Sequence, residues 1–153
     1  MAKNFVSKSE AETINFGKKL GRVLRKGHII ALCGELGSGK TVLTKGIARG
    51  LGVKSDKYVN SPSFVILKEH KGRLPLYHFD AYRLKNISEF STVDYTKYFY
   101  GEGVCVIEWA DKINRILPEN FLKIKISAKK ENERKISLLP HGKRYRDLAE
   151  KLC

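Results

Sequence analysis

The sequence predicts an α/β fold: a mixed, mostly parallel sheet with antiparallel hairpin strands, flanked by helices. Three observations carry this prediction. Two short apolar runs, HIIALC from His28 and VCVI from Val104, read as strands buried on both faces. A glycine-rich loop at Gly34 to Gly39 joins the first run to a stretch of helical periodicity, and two further apolar runs flank the turn His70-Lys71-Gly72-Arg73 as a hairpin does. At 153 residues the chain has the size of one compact domain, expected to span 1–153.

The elements follow in order. Ser9 with Glu12 three residues later forms a capping box, and Ile14, Phe16, Leu20, Val23 and Leu24 continue at helical spacing, so a helix is expected to end near Gly27. After the strand and the glycine loop, Val42, Leu43, Ile47 and Leu51 mark a second helix, stopped by Gly50 and Gly52. Residues 53–62 read as a polar connection, and the hairpin arms as Phe64 to Lys68 and Leu74 to Phe79. The polar and aromatic stretch 82–100 is given at most one helix, near Ser88 to Tyr95. Val104 to Ile107, Leu122 to Ser127 and Lys135 to Leu139 read as strands, and Lys143 to Leu152 as a basic terminal helix.

Composition bears on partners rather than fold. Thirty Lys and Arg against sixteen Asp and Glu give a net charge of +14, which favours polyanions. The excess is densest at the end of the chain, where residues 121–153 hold ten basic against four acidic side chains. Such a run reads either as a contact to a polyanion or as a solvated face. Cys33, Cys105 and Cys153 form no close-spaced metal motif and suit a reducing compartment. No apolar run approaches the roughly 20 residues of a membrane span, and the N-terminus lacks the apolar core of a signal peptide, so the expected location is cytoplasmic.

The chemistry is concentrated in Gly34-Glu35-Leu36-Gly37-Ser38-Gly39-Lys40-Thr41, a full match to G-x-x-x-x-G-K-[ST] lying between a strand and a helix. Glycines let successive backbone N–H groups turn toward phosphate oxygens, and the following helix adds its partial positive charge. Lys40 is expected at the β and γ phosphates of ATP and the Thr41 hydroxyl at Mg²⁺. Such a loop also needs an acid at the end of a buried strand. Asp80 and Glu108 each occupy that position, one expected at the metal and the other at the attacking water, although an acid there is also an ordinary first loop residue. Trp109, the sole tryptophan, is expected to touch nucleotide or else to plug the sheet end. His28, His70, His78 and His141 show no ligand or catalytic spacing and read as structural or surface residues.

Four segments together resemble the TsaE (formerly YjeE) ATPases of tRNA threonylcarbamoyladenosine synthesis. They are GELGSGKT at Gly34 to Thr41, VNSPSF at Val59 to Phe64, LYHFDAYRL at Leu76 to Leu84 and VIEWA at Val106 to Ala110. The resemblance implies a P-loop NTPase-like fold, Mg-dependent ATP hydrolysis, and work with TsaB and TsaD rather than transferase activity of its own. It implies Asp80 in the metal-site role, Glu108-Trp109 close to the nucleotide, and a switch around Ser61-Pro62-Ser63 near the γ-phosphate. The expected nucleotide contacts are thus the loop itself, Val42, Ser63 and Trp109, with Lys40, Asp80 and Glu108 catalytic and Thr41, Asp80 and Glu108 at the metal. Val42 and Ser63 stand where threonine is common and Ala110 where proline is frequent. Ser63 keeps a hydroxyl; Val42 offers none to the α-phosphate. Two other readings compete: a small-molecule kinase, and a nucleic-acid module with a degenerate loop. Neither an N-K-x-D segment nor an arginine-rich lid is present.

Overall fold

The computed structural model describes residues 2–54, 59 and 66–152. One seven-stranded sheet runs through them in the order β1-β7-β6-β2-β5-β4-β3. Its strands are β1 Lys3–Ser7, β2 Ile29–Cys33, β3 Leu67–His70, β4 Leu76–Asp80, β5 Val104–Glu108, β6 Phe121–Lys130 and β7 Glu133–His141. The helices are α1 Glu10–Val23, α2 Lys40–Gly50, α3 Ile87–Phe90, α4 Tyr95–Phe99 and α5 Lys143–Leu152, with a 3-10 segment at Ala110–Ile116. The centre is parallel, β6 to β2 to β5 to β4, while β3, β7 and β1 run antiparallel to their neighbours. Every residue of β2 and β5 is buried, as their unbroken apolar runs require.

Alternation divides the sheet into two faces. Ile30 and Leu32, Val104 and Val106, Leu122, Ile124 and Ile126, and Ile136 and Leu138 meet α1, α2 and α5. Ile29, Ala31, Cys33, Phe79, Cys105 and Ile107 meet α3, α4 and the 3-10 segment. Lys123, Lys125 and Lys135 lie on this second face, beyond the part those elements cover.

α1 begins as its sequence prescribes: the Ser9 hydroxyl accepts from Glu12 N at 3.1 Å. It ends earlier than expected, at Val23. Two contacts account for this: the Arg73 guanidinium donates to the carbonyls of Gly21 and Leu24 at 2.9 and 3.1 Å, and His28 Nδ1 accepts from Arg25 N at 2.8 Å, turning the chain. α1 crosses α2 backbone on backbone. A Cβ added to Gly17 or Gly21 would lie 2.6 Å from Leu43 O or 2.3 Å from Ile47 O, and one added to Gly46 or Gly50 would lie 2.3 Å from Ile14 O or Lys18 O.

Two further expectations need correction. The stretch after β4 holds two short helices instead of one, because Asn86 caps α3 through Glu89 N and the chain turns again before Asp94 to start α4. β1 was not expected at all; its five residues pair with β7 along the sheet edge. β7 also continues through Pro140, past Leu138, the last residue that β1 pairs. Phe64 and the residues Ser61 to Ser63 lie outside the described residues. Among the described residues, no helix is long and apolar enough to cross a membrane.

Candidate nucleotide-binding site

The loop from Gly34 to Gly39 leaves the C-terminal end of β2 and enters α2 at Lys40. Gly39 caps α2 with φ +109°, a conformation costly to any residue with a Cβ. A Cβ on Gly34 would meet Ile126 O at 2.4 Å, so the loop leaves the sheet only as glycine. Ser38 is buried, whereas the Leu36 side chain projects into solvent at 74% exposure.

Lys40 is 4% exposed, unusual for a lysine, and its ammonium is held by the loop itself. It donates to Gly34 O at 2.7 Å, Glu35 O at 2.8 Å and Ser38 Oγ at 3.3 Å. It also lies 4.0 Å from the centroid of the Trp109 ring, a cation–π contact. Burial lowers its pKa below the usual lysine range, against the opposing pull of Glu108, Asp80 and Asp111. Trp109 holds φ +59°, the sole positive φ of a non-glycine residue among those described, at a cost of about 1–2 kcal/mol. Its ring also packs on Tyr82, centroid to centroid 4.9 Å.

The two strand-end acids are brought together by register, Asp80 on β4 opposite Glu108 on β5. Both are nearly buried. Glu108 Oε1 accepts from the Thr41 hydroxyl at 2.9 Å, and Asp80 Oδ1 accepts from Tyr82 N at 2.8 Å. Glu108 Oε2 lies 2.5 Å from His78 Nε2. His78 was read from sequence as an ordinary structural histidine, yet it stands fully buried against the acid at the loop. Only the L-Y-H-F-D spacing, which puts His78 and Asp80 on one face of a strand, hinted at it.

The donor set suits a hard divalent cation: one hydroxyl and two carboxylates converge, and the Thr41 hydroxyl donates its hydrogen bond to Glu108, leaving its oxygen lone pairs free. No cluster of three or more His, Cys, Asp or Glu side chains that could hold a metal ion occurs among the described residues. Val42 stands apart from this centre. It lines a separate cleft of about 250 Å³ with Ser9, Thr13, Gly37, Asn132 and Arg134. Ser63 lies outside the described residues. On the far side of the loop a groove of about 1170 Å³ opens over Cys33, Glu35, Trp109, Lys123, Lys125 and Lys135.

A glycine loop at the end of a central parallel strand, with a buried lysine and acids at the ends of the next two strands, β5 and β4, defines a P-loop nucleotide-binding protein. The model of the family "Threonylcarbamoyl adenosine biosynthesis protein TsaE" matches residues 7–136. The chain belongs to the TsaE family. It is 44% identical over 142 residues to the tRNA threonylcarbamoyladenosine biosynthesis protein TsaE of Bacillus subtilis, covering 92% of this chain and 87% of that protein. The protein of the same name from Treponema pallidum is 38% identical over 133 residues, covering 87% and 97% of the two chains. The crystal structure of Bacillus subtilis YdiB matches with a TM-score of 0.83 at 35% identity, over 99% of this chain and 94% of that one.

Proposed function

We propose that the chain binds and hydrolyses Mg·ATP in the cytoplasm as the ATPase component of tRNA threonylcarbamoyladenosine synthesis, stimulated by the partner proteins TsaB and TsaD. The convergence of Lys40 and Thr41 at the start of α2 with Asp80 and Glu108 at the ends of β4 and β5 carries the reading. The family and the names of the relatives support the pathway. Backbone N–H groups of the loop and the Lys40 ammonium bind the phosphates, the charge acting strongly because the side chain is buried. Thr41 and Asp80 would hold Mg²⁺, which when bound offsets negative charge on the phosphate oxygens. Glu108, fixed at both oxygens, orients the attacking water. Basic side chains add a weak, sequence-independent contact to tRNA phosphates.

Lys40→Ala tests the reading. Expected is a folded protein by circular dichroism, weakened ATP binding and hydrolysis abolished, measured as phosphate release with no acceptor beyond water. Unchanged phosphate release from a folded variant refutes it. Transfer to a small acceptor far faster than release to water would instead identify a kinase.

A further inference from the structure

We propose that His78 is a positioning residue for ATP turnover, holding the Glu108 carboxylate in the orientation in which it meets Thr41 and the loop. The inference rests on the role given to Glu108 above and adds the residue through which that role is set.

Three features of His78 point at Glu108. Strand register places the two side chains on one face of the sheet, His78 opposite Val106 and Glu108 opposite Asp80, so they meet diagonally across paired strands. Both are shut from solvent, with side-chain exposures of 0% and 2%, and their Nε2 to Oε2 separation is 2.5 Å. Burying two such groups is costly unless each satisfies the other, and a hydrogen bond between the ring nitrogen and the carboxyl group does so. The second ring nitrogen, His78 Nδ1, is buried with no hydrogen-bond partner among the described residues. Here the ring's polar contact is spent on the acid beside the loop.

The consequence for Glu108 is geometric. With Oε1 taken by the Thr41 hydroxyl and Oε2 by His78, the carboxylate cannot rotate without breaking one bond, and roughly two of its four lone-pair sites remain for a water at the phosphates. Such support from behind a reacting group is commonly worth about 10- to 100-fold in activity. The L-Y-H-F-D spacing aligns His78 with Asp80, but the pairing with Glu108 spans 30 residues and no local spacing encodes it.

The test uses the full chain, with Mg·ATP turnover followed by phosphate release and binding by calorimetry. His78→Phe keeps the ring volume and removes the donor. Expected is a kcat lowered about 10- to 100-fold with the Kd for Mg·ATP changed less than about twofold. His78→Gln returns an amide donor at the reach of Nε2 and should recover most of the rate; His78→Asn, one methylene shorter, should not. In a Glu108→Gln background His78→Phe should cost nothing more, because its effect passes through the carboxylate. If His78→Phe does not fold, the Gln and Asn variants carry the comparison alone. Equal rates for Gln and Asn, a loss in binding without a loss in kcat, or multiplicative losses in the double variant would each overturn the inference. Full turnover by Glu108→Gln alone would instead remove the role assigned to Glu108, and this inference with it.

Discussion

The Lys40 ammonium rests 4.0 Å from the centroid of the Trp109 ring while donating to the carbonyls of Gly34 and Glu35. The same charge is the one expected at the phosphates, so nucleotide entry should alter its contact with the ring. Titration with Mg·ATP should therefore change Trp109 emission, and Lys40→Ala should shift the emission of the free protein by removing the cation. Calorimetric heat with unaltered emission would show that Trp109 only plugs the sheet end.

Asp80→Asn and Glu108→Gln should both impair turnover, by different routes. Asp80→Asn should raise the Mg²⁺ concentration needed for half-maximal rate, whereas Glu108→Gln should lower the rate at saturating Mg²⁺. Thr41→Ala should act like Asp80→Asn. Profiles of rate against Mg²⁺ decide the matter, and a reversed pattern exchanges the two acids' roles.

His28 titrates with stability. Burial, aided by Arg144 and Arg25, lowers its pKa from 6.5 to about 4, and its Nδ1 accepts from Arg25 N. The folded state thus disfavours the proton more than the unfolded chain does. The contribution is complete above about pH 6.5 and is lost as pH falls toward 4, at most on the order of 3 kcal/mol. Urea midpoints should fall between pH 6.5 and 5 in the wild type and fall less in His28→Asn, which keeps an acceptor without a titratable proton. Parallel curves would refute this.

The basic side chains of residues 121–153 do not form one surface. Lys123, Lys125 and Lys135 line the groove beside the loop, whereas α5 buries Tyr145, Leu148 and Leu152 on the opposite face and Arg144 donates to Lys26 O at 2.8 Å. Any tRNA affinity should fall with salt, each neutralised phosphate adding roughly 0.7–0.9 to the slope. Charge reversal at Lys143 and Arg146 and, separately, at Lys123 and Lys125 identifies which face contributes. Identical slopes for both variants and the wild type would make the basic run a solvated surface.

The parts of the site legible in the sequence are those whose residues are contiguous or end an apolar run. Gly34 to Thr41 is one uninterrupted pattern, and Asp80 and Glu108 each follow a buried strand. Their mutual approach is a matter of β4 to β5 register, which no spacing encodes, and His78 becomes visible only with it. β1 escaped because Lys3 to Ser7 is short and carries two apolar residues, and its pairing lies about 130 positions along the chain, between Asn4 and Ser137. Val42, a neighbour of Thr41 in sequence, faces a different cleft because successive helical residues point about 100° apart.

The glycine crossing of α1 and α2 removes the layer of side chains that ordinarily lets one helix fray while its neighbour stays folded. With Leu43 O, Ile47 O and Lys18 O in contact range of the facing backbone, opening either helix exposes the amides of both. In hydrogen exchange the central amides of α1 and α2 should consequently share one protection level and one opening free energy. The helix that carries Lys40 and Thr41 should therefore open only together with the helix laid across it.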